Sequence, residues 1–355
     1  KPVLESTHTY IDVHRIIEDY LTHDIAVSTY GFQKNDNSWV QYSISIGEEY
    51  GATPTIYAGL AATTATLGMN SIFDYEDFVD YTQVDWVLAS ATQKSFLTNS
   101  PRSVYVRGDK SAWLHMITNT SNVVHRAEIK SYDSSNALIQ TSRVDNAYAV
   151  LSANANSFLR FSTGKYNLNL IPGGSISTGA QPIIASNAVK WTVQIIDNAA
   201  ATTSELFTYL LDDNCTENTV YTFHFLNKLG GFDTFNFYKK SRQTLSIERK
   251  KYKQIAGTFN TTTYDFAKSD TQIANYNTTI QDRFIVTSDW LTDAQSTWLQ
   301  ELGTSPVIYY ENGSNELIPI NPDDTAYEVR KSVNDKTFNI LFAFSLGYSR
   351  ERQRR

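Results

Sequence analysis

The sequence contains one cysteine, Cys215, in 355 residues. A single cysteine forms no intrachain disulfide and no cysteine-based metal site, and its acidic neighbours disfavour a catalytic thiolate. Charged residues are also few, at 19% of the chain, and the net charge is −7. Because binding to nucleic acid requires a basic face that displaces counterions from phosphates, this composition argues against a nucleic-acid partner.

Long apolar runs are missing as well. No run approaches the ~18 residues of a membrane-spanning helix, and no signal peptide is visible. We therefore expect no membrane span.

Aromatic residues are abundant, with 22 Tyr, 18 Phe and 6 Trp. Aromatic and β-branched side chains suit a pleated, half-buried surface, so the composition favours β structure. A chain of this length is expected to form two or three domains. We predict a mainly β, multi-domain protein with β-sandwich domains and a few short helices.

Residues 1–85 are predicted to form a mixed α/β domain. Apolar residues with the spacing of one helix face indicate a helix for which Asp12 is available as a cap: Val13, Ile16, Ile17 and Tyr20. Alternation from Val40 to Ile46 predicts a half-buried strand that ends at Gly47.

Residues 86–211 are predicted to form a β-sandwich domain. Short strands are expected at 103–107, around 123–130, at 137–141 and around 189–195, with turns at 133–136 and 172–175. Regular short strands separated by turns are typical of a β-sandwich.

Residues 212–355 are predicted to form a β-rich domain with one helix near 293–302. Two runs of alternating aromatic residues flank Gly230 and Gly231, which predicts a hairpin with a tight turn of positive φ. Thr292 is expected to cap the helix in a capping box with Gln295, and Gly303 to follow its end. Alternation from Phe338 to Leu346 predicts a long strand. The basic run Arg350–Arg355 is expected to be a solvated tail, with docking to an acidic neighbour as the alternative.

No catalytic, cofactor-binding or metal-binding residues are predicted. The histidines lack zinc-site spacing: His8, His14, His23, His115, His125 and His224. The segment 173–177 lacks the final glycine of a serine-hydrolase motif, and 229–232 lacks the Lys-Ser/Thr of a phosphate-binding loop. Acidic residues beside aromatic ones are interpreted as a solvated loop, although a glycosidase with two carboxylates stays an alternative: Asp74, Glu76, Asp77 and Asp80.

Two stretches resemble virion proteins of tailed phages that infect Bacteroidetes-type hosts. One runs from Tyr221 to Phe235 (YTFHFLNKLGGFDTF) and on to Ser241-Arg242 and Ile247–Lys250; the other combines Arg15–Leu21 with Ile46–Tyr50. The resemblance loosely covers most of the chain. It implies a β-sandwich-rich tail, baseplate or adaptor protein, with further residues before Lys1 that supply the first strands of the N-terminal domain.

The expected function is therefore non-enzymatic and structural, in the tail region of a virion whose proteins are made in the bacterial host cytoplasm. The expected partners are other virion proteins, in a symmetric homo-oligomeric ring or as repeated copies. A carbohydrate-binding receptor module at the tail tip is the main alternative, because exposed tyrosine and tryptophan rings can stack on sugars. A glycan hydrolase is the other alternative.

Overall fold

A computed structural model gives the fold. It describes residues 12–26, 29–44, 47–50, 53–56, 66–71, 85–151, 157–212, 218–260, 262–265, 267–323 and 339–353. Within them the chain is mainly β with several sheets, which confirms the predicted fold class. No helix among these residues is long and apolar enough to cross a membrane.

The chain divides into two compact units. The first comprises residues 1–214 and 224–235, and the second comprises residues 215–223 and 236–355. The elements up to residue 211 are, in chain order, α1 (His14–Glu18), β1 (Phe32–Lys34), β2 (Trp39–Tyr42), β3 (Gly47–Tyr50), β4 (Thr53–Ile56), β5 (Thr66–Met69), β6 (Val87–Leu88), β7 (Ser103–Val106), β8 (Trp113–Thr118), β9 (Arg126–Tyr132), β10 (Leu138–Asp145), β11 (Ser157–Ser162), α2 (Lys165–Asn169), a 3-10 turn (Gly173–Ser175), β12 (Ile176–Thr178), β13 (Lys190–Ile196) and β14 (Phe207–Leu211).

The remaining elements lie between residues 221 and 353. They are β15 (Tyr221–Leu226), β16 (Phe232–Phe237), β17 (Arg242–Lys253), β18 (Thr258–Asn260), β19 (Thr263–Asp265), β20 (Ile273–Thr287), α3 (Asp293–Thr304), β21 (Ile308–Glu311), β22 (Leu317–Pro322), β23 (Leu341–Leu346) and β24 (Arg350–Gln353). The hairpin of β15 and β16 is divided between the units, with residues 224–235 assigned to the first.

The first unit is a sandwich of two sheets around one apolar core. One sheet has the order β1-β11-β8-β6 and the other has the order β12-β10-β9-β13-β14-β7. Burial alternates along β9, and the inward residues Ala127 and Ile129 join the core with residues of both sheets. Trp191 of β13 is fully buried, stacks on Tyr209 at 5.7 Å and donates from its indole nitrogen to the Thr163 carbonyl at 2.9 Å. The apolar alternation predicted around 189–195 is thus confirmed.

The second unit is built on a larger sheet. Its strand order is β16-β15-β21-β22-β23-β20-β17, and β24 pairs with β20 beside this path. Phenylalanine rings pack on one face of this sheet, where Phe344 lies 5.0 Å from Phe223 and 5.1 Å from Phe284. Helix α3 contributes Trp298 and Leu302 as buried side chains.

The predicted local elements are largely present. The hairpin over 221–237 forms, with φ of +84° at Gly230, and the turn 133–136 is closed by a hydrogen bond from the Asp133 N–H to the Ala137 carbonyl. The capping box is also confirmed, since the Thr292 hydroxyl accepts from the Gln295 N–H and the Gln295 side chain accepts from the Thr292 N–H.

Other boundaries were predicted wrongly. Gly47 begins β3 instead of ending a strand, because its pairing with β4 starts there. Gly303 lies inside α3, which ends one residue later. The helix ends at Ser305 because this residue precedes Pro306, whose ring disfavours the helical conformation for the residue before it.

The N-terminal helix and the last strand need smaller corrections. Helix α1 is only five residues long and its N-cap is Val13, although the Asp12 carboxylate accepts from the His14 N–H at 3.0 Å. The alternating C-terminal run gives β23, which begins at Leu341, while Phe338 lies outside the described residues.

Candidate assembly arm

The second unit carries a long two-stranded ribbon, which we call the assembly arm: β17, β20 and the residues 254–272 that connect them. The two strands pair in an antiparallel register that runs from Arg242 opposite Ile285 to Lys253 opposite Ile273. A bulge interrupts the register between Lys250 and Lys251. The connection contains the small hairpin of β18 and β19.

One end of the arm is anchored in the core of the second unit. Residues 283–287 of β20 pair with β23, Val286 is buried, and Phe284 stacks on Phe344. Near this end the Asp282 carboxylate accepts from the Gln243 side chain at 3.3 Å. These contacts fix where the arm leaves the sheet.

Beyond its anchored end the arm is exposed. All twelve residues of β17 are exposed, and β17 is the last strand of its sheet. Residues 245–276 carry eight of the 21 exposed large apolar side chains among the described residues, although they form under a tenth of the chain. These eight are Leu245, Ile247, Tyr252, Ile255, Phe259, Tyr264, Ile273 and Tyr276.

The exposed strand is also basic. β17 contains five lysine and arginine residues and a single acidic one, Glu248, in a chain whose net charge is −7. Within the described part of the chain no ion pair involves any of the five: Arg242, Arg249, Lys250, Lys251 and Lys253. The arm therefore presents apolar area and unpaired positive charge together.

The C-terminal basic run is part of this sheet, which corrects the expectation of a solvated tail. β24 pairs with β20 from Arg350 opposite Ile280 to Gln353 opposite Asn277. The Arg350 guanidinium also donates to the Asp282 carboxylate at 2.8 Å. Charge density alone suggested a free tail, but the backbone of this segment finds a strand edge to pair with.

The stretch 221–235, which carries the stronger resemblance, has a structural role at its turn. The buried Asn227 side chain accepts from the Leu229 and Gly231 N–H groups and donates to the Leu97 carbonyl at 2.8 Å. Thr98 donates to Asp233 at 2.9 Å. Asn227 and its partners thus hold the hairpin tip to the sandwich within the first unit.

The most perturbed side chains of the first unit lie under this hairpin tip. His115 of β8 is opposite Arg160 of β11, and both are buried. Burial, with the Arg160 charge as a smaller cause, lowers the pKa of His115 to about 3. Burial also lowers the pKa of Arg160 to about 10, and its Nε and Nη1 atoms have no hydrogen-bond partner. The His115 Nδ1 accepts from the Phe232 N–H at 3.2 Å, so the imidazole is a neutral structural acceptor.

The residues considered for chemistry in the sequence do not converge. His14 contacts the Asp12 carboxylate at the surface, and His224 packs against Trp113 at 5.0 Å. No group of three potential metal ligands occurs among the described residues. The 3-10 turn Gly173–Ser175 precedes β12. His8, Cys215 and the acidic residues at 74–80 lie outside the described residues.

The arm itself was missed in the sequence. Only fragments of β17 entered the resemblance, since polar residues fill both of its faces and no single apolar face results. A usable signal was present: β17 and β20 are long runs without glycine or proline, and Gly257, with φ of +83°, lies between them.

Comparisons with protein-family models, with curated proteins and with solved structures gave no match to this chain.

Proposed function

We propose that this chain is a non-enzymatic structural component of a tailed-phage particle, in its tail, baseplate or adaptor, and that it works through protein–protein contacts. The observation that supports this proposal is the exposed arm. A two-stranded ribbon without a core of its own is at best marginally stable in water, so a long one is expected to find partners. The phage assignment comes from the resemblance of the stretches at 15–50 and 221–250.

The composition of the arm fits a contact surface. Soluble monomers seldom expose contiguous apolar patches, and large ones mark interaction sites. Aromatic residues and arginine are enriched at protein interfaces, and Tyr252, Tyr276, Phe259 and Arg249 supply both classes on one ribbon. Its expected partners are other virion proteins or further copies of the chain.

Electron microscopy of the native particles tests this function. We expect copies of the chain to repeat with rotational symmetry in a tail, collar or baseplate, with the arm in contact with a neighbouring subunit. A chain that is found only as free molecules, outside any particle, would contradict the proposal.

A carbohydrate-binding role is the second candidate, and one pair of residues favours it. Phe259 and Tyr264 lie directly opposite each other in the β18–β19 hairpin, and both rings are exposed. Exposed aromatic rings can stack on sugars. Saturable glycan binding that Phe259→Ala and Tyr264→Ala abolish, without any release of product, would support this role, whereas product release would indicate a hydrolase.

A further inference from the structure

We propose that the assembly arm docks into an apolar cleft on the first unit of a second copy of this chain. The proposal rests on the structural function above and names the partner of the same surface. Helix α1 and β2 with the residues after it line this cleft, whose volume is about 390 Å³. Its apolar lining consists of Val13, Ile16, Ile17, Tyr20, Val40, Tyr42 and Ile44.

The cleft is apolar and open. Ile16 is 64% exposed and Tyr20 is 71% exposed, and helix α1 contains no buried residue. An amphipathic helix normally buries its apolar face, so an exposed one indicates a surface that another molecule covers.

The region around the cleft is acidic. Residues 1–85 contain 13 Asp and Glu but only three Lys and Arg. Glu18, in the lining helix, and Asp19, which follows it, are both exposed. Neither carboxylate forms an ion pair within the described part of the chain. A docking partner for this region should therefore combine apolar side chains with positive charge.

The arm has this combination. Leu245 and Ile247 project from one face of β17, and Lys250 and Lys251 follow them on the same strand. Complementary charge accelerates association and selects the partner, while the apolar contact supplies most of the affinity. Both surfaces occur on every copy, so the chain carries its own complement.

The two surfaces differ, so the contact between copies is heterologous. Repeated head-to-tail contacts of this kind generate a closed ring when the rotation between copies closes, and an open filament when it does not. This geometry is the one expected of a subunit that repeats around a tail axis.

Two further readings of the basic strand compete with this proposal. Lysine along an exposed edge strand hinders edge-to-edge pairing, which would require no partner. A basic ribbon with aromatic residues can also bind nucleic acid. Charge-reversal variants on the two surfaces separate these cases.

The experiment measures self-association of the full chain by sedimentation velocity at low and high ionic strength. We expect Lys250→Glu with Lys251→Glu to raise the dissociation constant at least about tenfold, as expected for a charged contact, and Lys250→Arg with Lys251→Arg to retain association. Glu18→Lys with Asp19→Lys should weaken it equally. That second pair lowers the net negative charge, so general repulsion between copies predicts the opposite result. Mixing the two charge-reversed variants should restore association, and thermal melting checks their folding.

The other outcomes overturn the proposal. Self-association that both reversals leave unchanged would place the contact elsewhere and leave the structural function standing. A chain that stays monomeric at high concentration would refute the second copy as partner, while microscopy of the particles still tests the function separately. Binding to a double-stranded DNA probe that Lys250→Glu with Lys251→Glu abolishes, without self-association, would assign the arm to nucleic acid.

Discussion

The β9–β13 pair and the β17–β20 arm are both regular antiparallel ribbons, yet they differ in what covers them. In the first, side chains alternate between the sandwich core and the surface, and Trp191, Val193 and Ile195 are fully buried. In the second, every residue of β17 is exposed. Backbone pairing alone does not account for a twelve-residue exposed ribbon. The difference indicates that the first ribbon is stabilised within the chain and that the second is completed by contacts outside it.

Truncation of the largest buried side chain should give the largest effect. We expect Trp191→Ala to lower the free energy of unfolding by about 3–5 kcal/mol, because the change leaves a cavity beside Tyr209. Leu245→Ala on the arm should change it by less than about 0.5 kcal/mol. Chemical denaturation measures both, and equal losses would show that the arm has a covered face within the chain.

The turn of the hairpin should be nearly as sensitive. Gly230 has a φ of +84°, and a Cβ atom there would lie 2.2 Å from the Asn70 carbonyl oxygen. We expect Gly230→Val to cost at least about 2 kcal/mol from backbone strain and this clash. Gly231→Val should also destabilise the fold, although its φ is not positive, because its Cβ would meet the Leu97 carbonyl at 2.7 Å.

Gly313→Ala is the matched control for these turn variants. Nothing lies within 4 Å of its Cβ position, so it should melt like the wild type. Soluble expression of Gly230→Val with an unchanged melting temperature would contradict the structural account of the turn.

Acid should weaken the buried histidine region before it affects the arm. The pKa of His115 is about 3 in the folded chain, against an ordinary value near 6.5. Between these values the unfolded chain binds a proton that the folded chain does not, so stability falls as the pH falls, by about 1.4 kcal/mol per pH unit. His115→Gln removes this group, and urea titrations across the range should then show a shallower pH dependence. An identical pH dependence in the variant would refute the assignment.

Deletion of residues 350–355 should give the smallest effect. It removes β24 and the partly exposed Arg350–Asp282 ion pair, and we expect a loss of about 1 kcal/mol, because short exposed pairings contribute little. Removal of Arg354 and Arg355 alone is the control and should leave the melting temperature unchanged. An unchanged melting temperature after the longer deletion would return these residues to the status of a free tail.

Several local features were predictable because a few neighbouring residues specify them. The capping box of α3 depends on Thr292 and Gln295, the turn at Gly230 depends on a residue that accepts positive φ, and alternation over 189–195 depends on one buried face. The candidate site was not predictable in this way, since the exposed strand β17 has no buried face to create an apolar alternation.

The sequence by itself determined the mainly β class, the strands of the sandwich core and the cap of α3, because these depend on side-chain periodicity and on local hydrogen bonds. Only the tertiary structure decided that residues 350–353 pair with β20, that α3 extends to Thr304 and that β17 stands exposed at a sheet edge. Strand pairing between distant segments follows from which backbone edges remain open after the core has packed, and no short window of sequence records that.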